Sequence, residues 1–178
     1  STPCGTLFPY TTLFRSESRR YDRKRFLFSR LAEDPGKHFT GIVGARGVGK
    51  TVLLRQYAIE RDDAFYLSAD TLDPEDDAWD MIRTLNRHYG FQKFVLDEIH
   101  FLPGWAGLLK KLYDFTDIRI LFSSSVALAM QASSHDLSRR VRLMNLHGFS
   151  FREYLTFTQG ISLPRLEISQ IVDGKWGP

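Results

Sequence analysis

The stretch Gly44-Ala45-Arg46-Gly47-Val48-Gly49-Lys50-Thr51 leaves a chain few ways to fold. It fits the pattern G-x-x-x-x-G-K-[ST]. A short apolar run, Phe39 to Val43, precedes it, and Lys50 to Glu60 follows with Val52, Leu53, Leu54 and Tyr57 reading as the inner face of a helix. Strand, tight loop and helix in that order need glycines, because a Cβ would forbid the torsions and the close approaches. Successive N–H groups of such a loop, backed by a helix N-terminus, converge on one point and make an anion site. The residue types then point to phosphate chemistry. Lys50 would neutralise β- and γ-phosphates, the Thr51 hydroxyl would ligate Mg²⁺, and Gly44, Ala45, Arg46, Gly47, Val48, Gly49 and Val52 would line the cradle. The competing reading is a glycine-rich turn with a solvated lysine, which the flanking strand and helix weigh against.

The rest of the chain alternates in the same way. Ala64 to Ser68 reads as a second strand. An acidic stretch follows (Asp70, Asp73, Glu75, Asp76, Asp77, Asp80), and its second half carries Ala78, Ile82, Leu85 and Tyr89 at helical spacing up to Gly90. Acids at the start of that helix suit its macrodipole. Lys93 to Asp97 is a third strand. Gly104 to Phe115 is a helix with Trp105, Leu108, Leu109 and Leu112 on one face; Ile118 to Phe122 and Val141 to Leu146 are strands four and five. Ahead of them, Glu17 to Asp34 has apolar residues at helical spacing and is read as one amphipathic helix stopped by Pro35-Gly36. Its basic run Arg23-Lys24-Arg25, balanced by neighbouring acids, is read as solvated. Strands alternating with helices predict an α/β fold, a three-layer and mostly parallel sheet with an N-terminal helix.

Composition narrows the classes. The 178 residues are 43% hydrophobic and 25% charged, enough for one domain with a core. A net charge of +3 does not argue for a nucleic-acid partner. No window is apolar enough to span a membrane, and the start has no secretory pattern. A single cysteine, Cys4, excludes an internal disulfide framework. A cytoplasmic protein is expected. Thr6 to Ser16, TLFPYTTLFRS, resembles the in-frame translation of a sequencing-library adapter, so residues 1–16 are read as a non-native tail. The expected organisation is that tail, a phosphate-loop domain over 17–158, and the start of a C-terminal region over 159–178.

The second half of a site lies further along. Phe94-Val95-Leu96 ends in Asp97-Glu98. At the carboxyl end of a parallel strand Asp97 would sit where the nucleotide's metal lies, holding Mg²⁺ through water. Glu98 would polarise the attacking water. Ser123 to Ser125, closing the next strand, either reach the γ-phosphate or cap a helix from Val126; both readings stay open. Arg139 and Arg140 supply either an arginine finger, from the same chain or a neighbouring subunit, or a solvated basic turn. Asp97-Glu98-x-His100 also resembles the DExH box of helicases, but the chain is too short for two RecA-like domains. No Asn-Lys-x-Asp guanine reader is present. Phe149, Phe151, Tyr154 and Leu155 fit a helix face packed on the sheet.

Taken in order, the lead helix, GARGVGKT, AFYLSAD, FVLDEIHFLPGWAGLLKKLYD, ILFSSSVAL and SRRVRLMNLHGFSFREYL resemble the bacterial and archaeal family of predicted AAA+-type ATPases, in which a P-loop domain precedes a C-terminal domain of unknown function. The resemblance implies a P-loop NTPase sheet of the additional-strand type that binds and hydrolyses ATP with Mg²⁺. Lys50 and Thr51 would bind nucleotide and metal, Asp97 and Glu98 would form the Walker B pair, Ser123 would hold the polar sensor position, and Arg140 would match the arginine of a Gly-Arg pair. The catalytic set is then Glu98, Lys50, Ser123 and Arg140, with Thr51 and Asp97 at the metal. A very slow nucleotide-dependent switch is the alternative to a turning-over ATPase. Expected partners are ATP and ADP, together with a second copy of the chain or a C-terminal domain; no membrane is implied.

Overall fold

Side chains along the strand Lys93–Asp97 point alternately into two separate hydrophobic layers, Phe94 and Leu96 into one and Val95 into the other. The computed structural model describes residues 21–33, 36–73, 75, 77–125 and 137–174. The chain divides into two compact units after Gly148. The first contains α1 (Phe26–Ala32), β1 (Phe39–Val43), α2 (Lys50–Ile59), β2 (Ala64–Ser68), α3 (Ala78–Tyr89), β3 (Lys93–Asp97), α4 (Trp105–Phe115), β4 (Arg119–Ser124) and β5 (Val141–Asn145). All the strands pair in parallel, in the order β2-β3-β4-β1-β5.

Period-2 alternation in the strands builds the three layers. Leu53, Leu54 and Ala58 of α2, with Phe28 and Leu31 of α1, pack on Ile42, Val95 and Leu121. On the opposite face Ile82 and Leu85 of α3, with Leu109 and Leu112 of α4, pack on Phe94, Leu96, Ile120 and Phe122. Gly41 is required where β1 crosses between β4 and β5, since a Cβ there would stand 2.6 Å from both Leu143 and Phe122. α3 is bounded as its sequence demands. The Asp77 side chain accepts from the N–H groups of Trp79 and Asp80, and Gly90 closes the helix at φ 77°.

The lead helix is shorter than its periodicity predicts. Residues 21–25 are not helical, and Arg25 is extended at φ −64°, ψ 152°. The cause is long-range: Gln56 of α2 donates to the carbonyls of Tyr21 and Arg23, and Arg25 is drawn away toward the glycine loop. β4 runs on to Ser124, two residues past its predicted end. The adapter-like segment and the helix expected from Val126 lie outside the described residues.

In the second unit, α5 (Phe151–Gln159) starts at a capping box in which Ser150 and Glu153 bond each other's backbone, and ends at Gly160 with φ 70°. A short α6 (Ile168–Val172) follows. Phe149, Phe151 and Tyr154, expected to be core, are exposed. The residue buried on this helix is Glu153, whose carboxylate turns back to its cap, while the Phe149 ring edges onto Phe157 at 4.9 Å. Among the described residues no helix is long and apolar enough to cross a membrane.

A phosphate loop facing a buried acid pair

β1 delivers the chain to Gly44, whose backbone fits so closely under the Leu146 carbonyl that a Cβ would lie 2.3 Å from that oxygen. The loop then turns through Gly47 at φ 84° and Gly49 at φ 95°, torsions that glycine adopts without cost. α2 begins at Lys50 with no side-chain cap and no acid in its first turn, as do α1 and α4 but not α3 and α5, and among those three it alone follows the glycine loop and opens on a buried lysine. A helix that leaves its first N–H groups unanswered is a site for an anion. Ala45, Arg46 and Gly47 are exposed, and Val48, Thr51 and Val52 are half-buried.

Lys50 is buried, and its ammonium donates to the carbonyls of Gly44 at 3.0 Å and Ala45 at 3.1 Å. Glu98 Oε1 stands 3.9 Å from the same nitrogen. The loop and the Asp97-Glu98 pair therefore open at the same edge of the sheet, with β4 between the strands that carry them.

Asp97 is 1% exposed, at the tip of β3. Its Oδ1 accepts from Ser123 of β4 and its Oδ2 from the Tyr66 hydroxyl of β2 at 2.9 Å. Burial, and then the charge of Asp97 beside it, push the Tyr66 phenol well above its ordinary pKa. The Ser123 hydroxyl, read either as reaching the γ-phosphate or as a helix cap, donates to Asp97 and also accepts from the Glu98 N–H at 2.9 Å. That bond holds Glu98 at φ 50°, ψ 49°, which makes it the one non-glycine residue at positive φ among those described. Such an outlier marks backbone that the surroundings force into place, often at a functional position. The carboxylate it presents is under-used: Glu98 Oε2 is buried without a hydrogen bond, and His100 Nδ1 lies 3.4 Å away, itself 3.2 Å from Ser124 Oγ.

One expectation about basic residues is overturned, that for Arg25, and one is narrowed, that for Arg140. Arg140 precedes β5 at the sheet's opposite edge, where its carbonyl accepts from the Phe39 N–H at the start of β1. Its guanidinium makes a two-pronged contact with Asp114, with both bonds at 2.9 Å. In a parallel sheet that edge is a full strand length from the glycine loop, so Arg140 cannot reach the site of its own chain. Arg25, read as solvated, is buried instead. Its guanidinium donates to Val48 O of the loop at 2.7 Å, to His147 O at 2.8 Å and to Gly148 O at 3.3 Å. Sequence reasoning missed both Arg25 and Tyr66. Charge counting carries no sign of the first. For the second a signal exists, since Tyr66 and Ser68 alternate with Phe65 and Leu67 and share one face of β2.

Among the described residues no three His, Cys, Asp or Glu side chains form a metal cage. Mg²⁺ takes one or two protein oxygens and completes its shell with water and phosphate. The Thr51 hydroxyl and the Asp97 carboxylate are donors of the right kind.

A parallel sheet in this strand order, with a glycine loop and an uncapped helix after β1 and an acid pair after β3, defines a P-loop domain of the additional-strand type. The family described as an AAA domain matches residues 36–155, more than half of the chain, and the chain belongs to it. An uncharacterized protein of Methanocaldococcus jannaschii is 33% identical over 168 residues, which cover 86% of this chain and 35% of that protein. The chain thus spans about a third of the length of that curated relative. The structure of AMPPCP-bound DnaA from Aquifex aeolicus aligns at 17% identity and a TM-score of 0.48, over 84% of this chain and 53% of that one.

Proposed function

We propose that this domain binds ATP with Mg²⁺ in the glycine loop and hydrolyses it by attack of a water that Glu98 orients. One observation carries the reading: the start of α2 is left uncapped while Lys50 is turned into the loop in front of it, 3.9 Å from Glu98. The loop's N–H groups and the Lys50 ammonium would bind the phosphates and hold them against the helix end. Thr51 would hold the metal directly and Asp97 through water; Mg²⁺ supplies charge neutralisation at the β- and γ-phosphates when bound. Glu98 Oε2 is buried and lacks a hydrogen bond, so it keeps an acceptor free for a water, which a general base needs. Arg140 faces away from this site and pairs with Asp114, so any finger role it has is confined to the site of a second copy.

Calorimetric titration with MgATP and a phosphate-release assay test this together. Binding with turnover supports the ATPase reading. Binding with no multiple-turnover release favours the slow nucleotide-dependent switch, and an absence of binding heat would remove both.

A further inference from the structure

We propose that Tyr66 is a positioning residue that aims the Asp97 carboxylate at the metal, an inference that rests on the nucleotide-site reading above. Asp97 is almost wholly buried, and each of its oxygens takes one hydroxyl from a flanking strand, Tyr66 from β2 and Ser123 from β4. An ionised carboxylate only accepts, so both hydroxyl hydrogens point at Asp97. The other side of each hydroxyl is fixed as well. Arg55 Nε–H lies 3.3 Å from the Tyr66 oxygen, and the Glu98 N–H lies 2.9 Å from Ser123 Oγ; neither group can do anything but donate. Asp97 therefore cannot rotate without breaking two bonds whose directions are set from behind.

The chemistry of these two donors matters. A lysine or arginine in either place would hold the carboxylate as firmly and cancel the charge that a divalent cation needs. Among the described residues no lysine or arginine is ion-paired with Asp97, and the cation nearest in the chain of contacts, Arg55, acts one residue removed, through the neutral phenol. Length matters too. Tyr66 pairs in register with Val95, two residues short of Asp97, so only a long side chain lying along the strand reaches the carboxylate. Outer contacts of this sort fix the geometry of a metal's ligands, and losing one typically weakens metal binding 10- to 100-fold.

Tyr66→Phe keeps the ring over which the Arg55 guanidinium sits at 5.4 Å and removes only the hydroxyl. The probe is Mn²⁺ in place of Mg²⁺, titrated into ADP-loaded protein and followed by electron paramagnetic resonance, beside ADP affinity measured in EDTA. The expected result is Mn²⁺ affinity down about tenfold with metal-free ADP affinity unchanged, and Ser123→Ala shifting in the same direction. Unchanged Mn²⁺ affinity in Tyr66→Phe, or an equal loss of ADP affinity without metal, overturns the role. A parent protein that binds no ADP overturns the nucleotide site and this inference together, whereas a parent that binds both while Tyr66→Phe matches it overturns this one alone.

Discussion

Lys50 Nζ stands 3.9 Å from Glu98 Oε1, which joins the loop after β1 to the acid pair after β3 across an intervening strand. Both side chains are largely withdrawn from solvent. The buried ammonium adds a full positive charge to the backbone dipoles of the loop. Lys50→Ala is expected to weaken MgATP binding at least about 100-fold, the scale of a charge-assisted contact to phosphate. Calorimetry on the variant, with circular dichroism to show that it is folded, decides this; binding within threefold of the parent would refute the cradle.

Much of this arrangement was legible in the sequence, and for one reason. GARGVGKT and FVLDE each couple a local backbone requirement to a strand, so recognising the strands also placed Lys50 and Asp97 at the carboxyl edge of a parallel sheet. What stayed hidden is set by contacts between segments far apart in the chain. Nothing local in Arg23-Lys24-Arg25 says that the third side chain will cross to Val48 and His147 and so cut the lead helix short. Arg140 directly precedes β5, so once β5 pairs in parallel with β1 it stands at the amino edge, away from the loop; a basic turn carries no sign of that pairing or of its partner Asp114.

Glu98→Gln is expected to keep MgATP affinity within about threefold and to cut phosphate release at least about 100-fold, in line with loss of a general base. The backbone at this position makes a second, independent test. A left-handed torsion costs a non-glycine residue about 1–2 kcal/mol, so Glu98→Gly should unfold later than Glu98→Ala by about 1 kcal/mol although both lack the carboxylate. Equal denaturation midpoints for the two variants would show that φ 50° carries no strain.

Gly44 and Gly47 are both glycines of the loop, yet a methyl group should act differently at each. At Gly44 it meets the Leu146 backbone at 2.3 Å, and backbone cannot give way as a side chain can. Gly44→Ala should cost about 1–3 kcal/mol in urea denaturation and also lower nucleotide affinity. At Gly47 nothing lies within 4 Å, so Gly47→Ala should cost only the torsional penalty of about 1–2 kcal/mol. A Gly44→Ala protein as stable as the parent would contradict the close approach of the loop to the segment after β5.

Arg25 holds three carbonyls at once, one on the glycine loop and two on the segment after β5. A lysine has the charge but not the planar fork, so Arg25→Lys should behave more like Arg25→Ala than like the parent. Stripping the guanidinium leaves partly buried carbonyls unanswered, at about 1–3 kcal/mol. Because Val48 O is one of them, the loop amides should also exchange hydrogen faster, with nucleotide affinity falling alongside. Exchange that rises throughout the sheet equally, rather than first in the loop, would mean that Arg25 supports the fold and not the cradle.

Arg140 gives a prediction in pH. Its hydrogen bonds hold the Asp114 carboxyl below the usual 3.8. A carboxylate whose folded pKa is depressed stabilises the native state above its unfolded pKa, and that contribution disappears as pH falls through the lower, folded value. The pair is partly exposed, so the effect is small, but its direction is fixed. Arg140→Ala should be less stable than the parent at pH 7, and the gap should narrow as pH drops below about 4, vanishing once Asp114 is protonated in both states. Nucleotide affinity should not change, because Arg140 stands at the far edge of the sheet. If Arg140→Ala instead lost phosphate release, with a deficit that unlabelled Lys50→Ala protein repaired on mixing, the guanidinium would be serving the site of a neighbouring copy. Turnover equal to the parent at every protein concentration would confine Arg140 to its contact with Asp114.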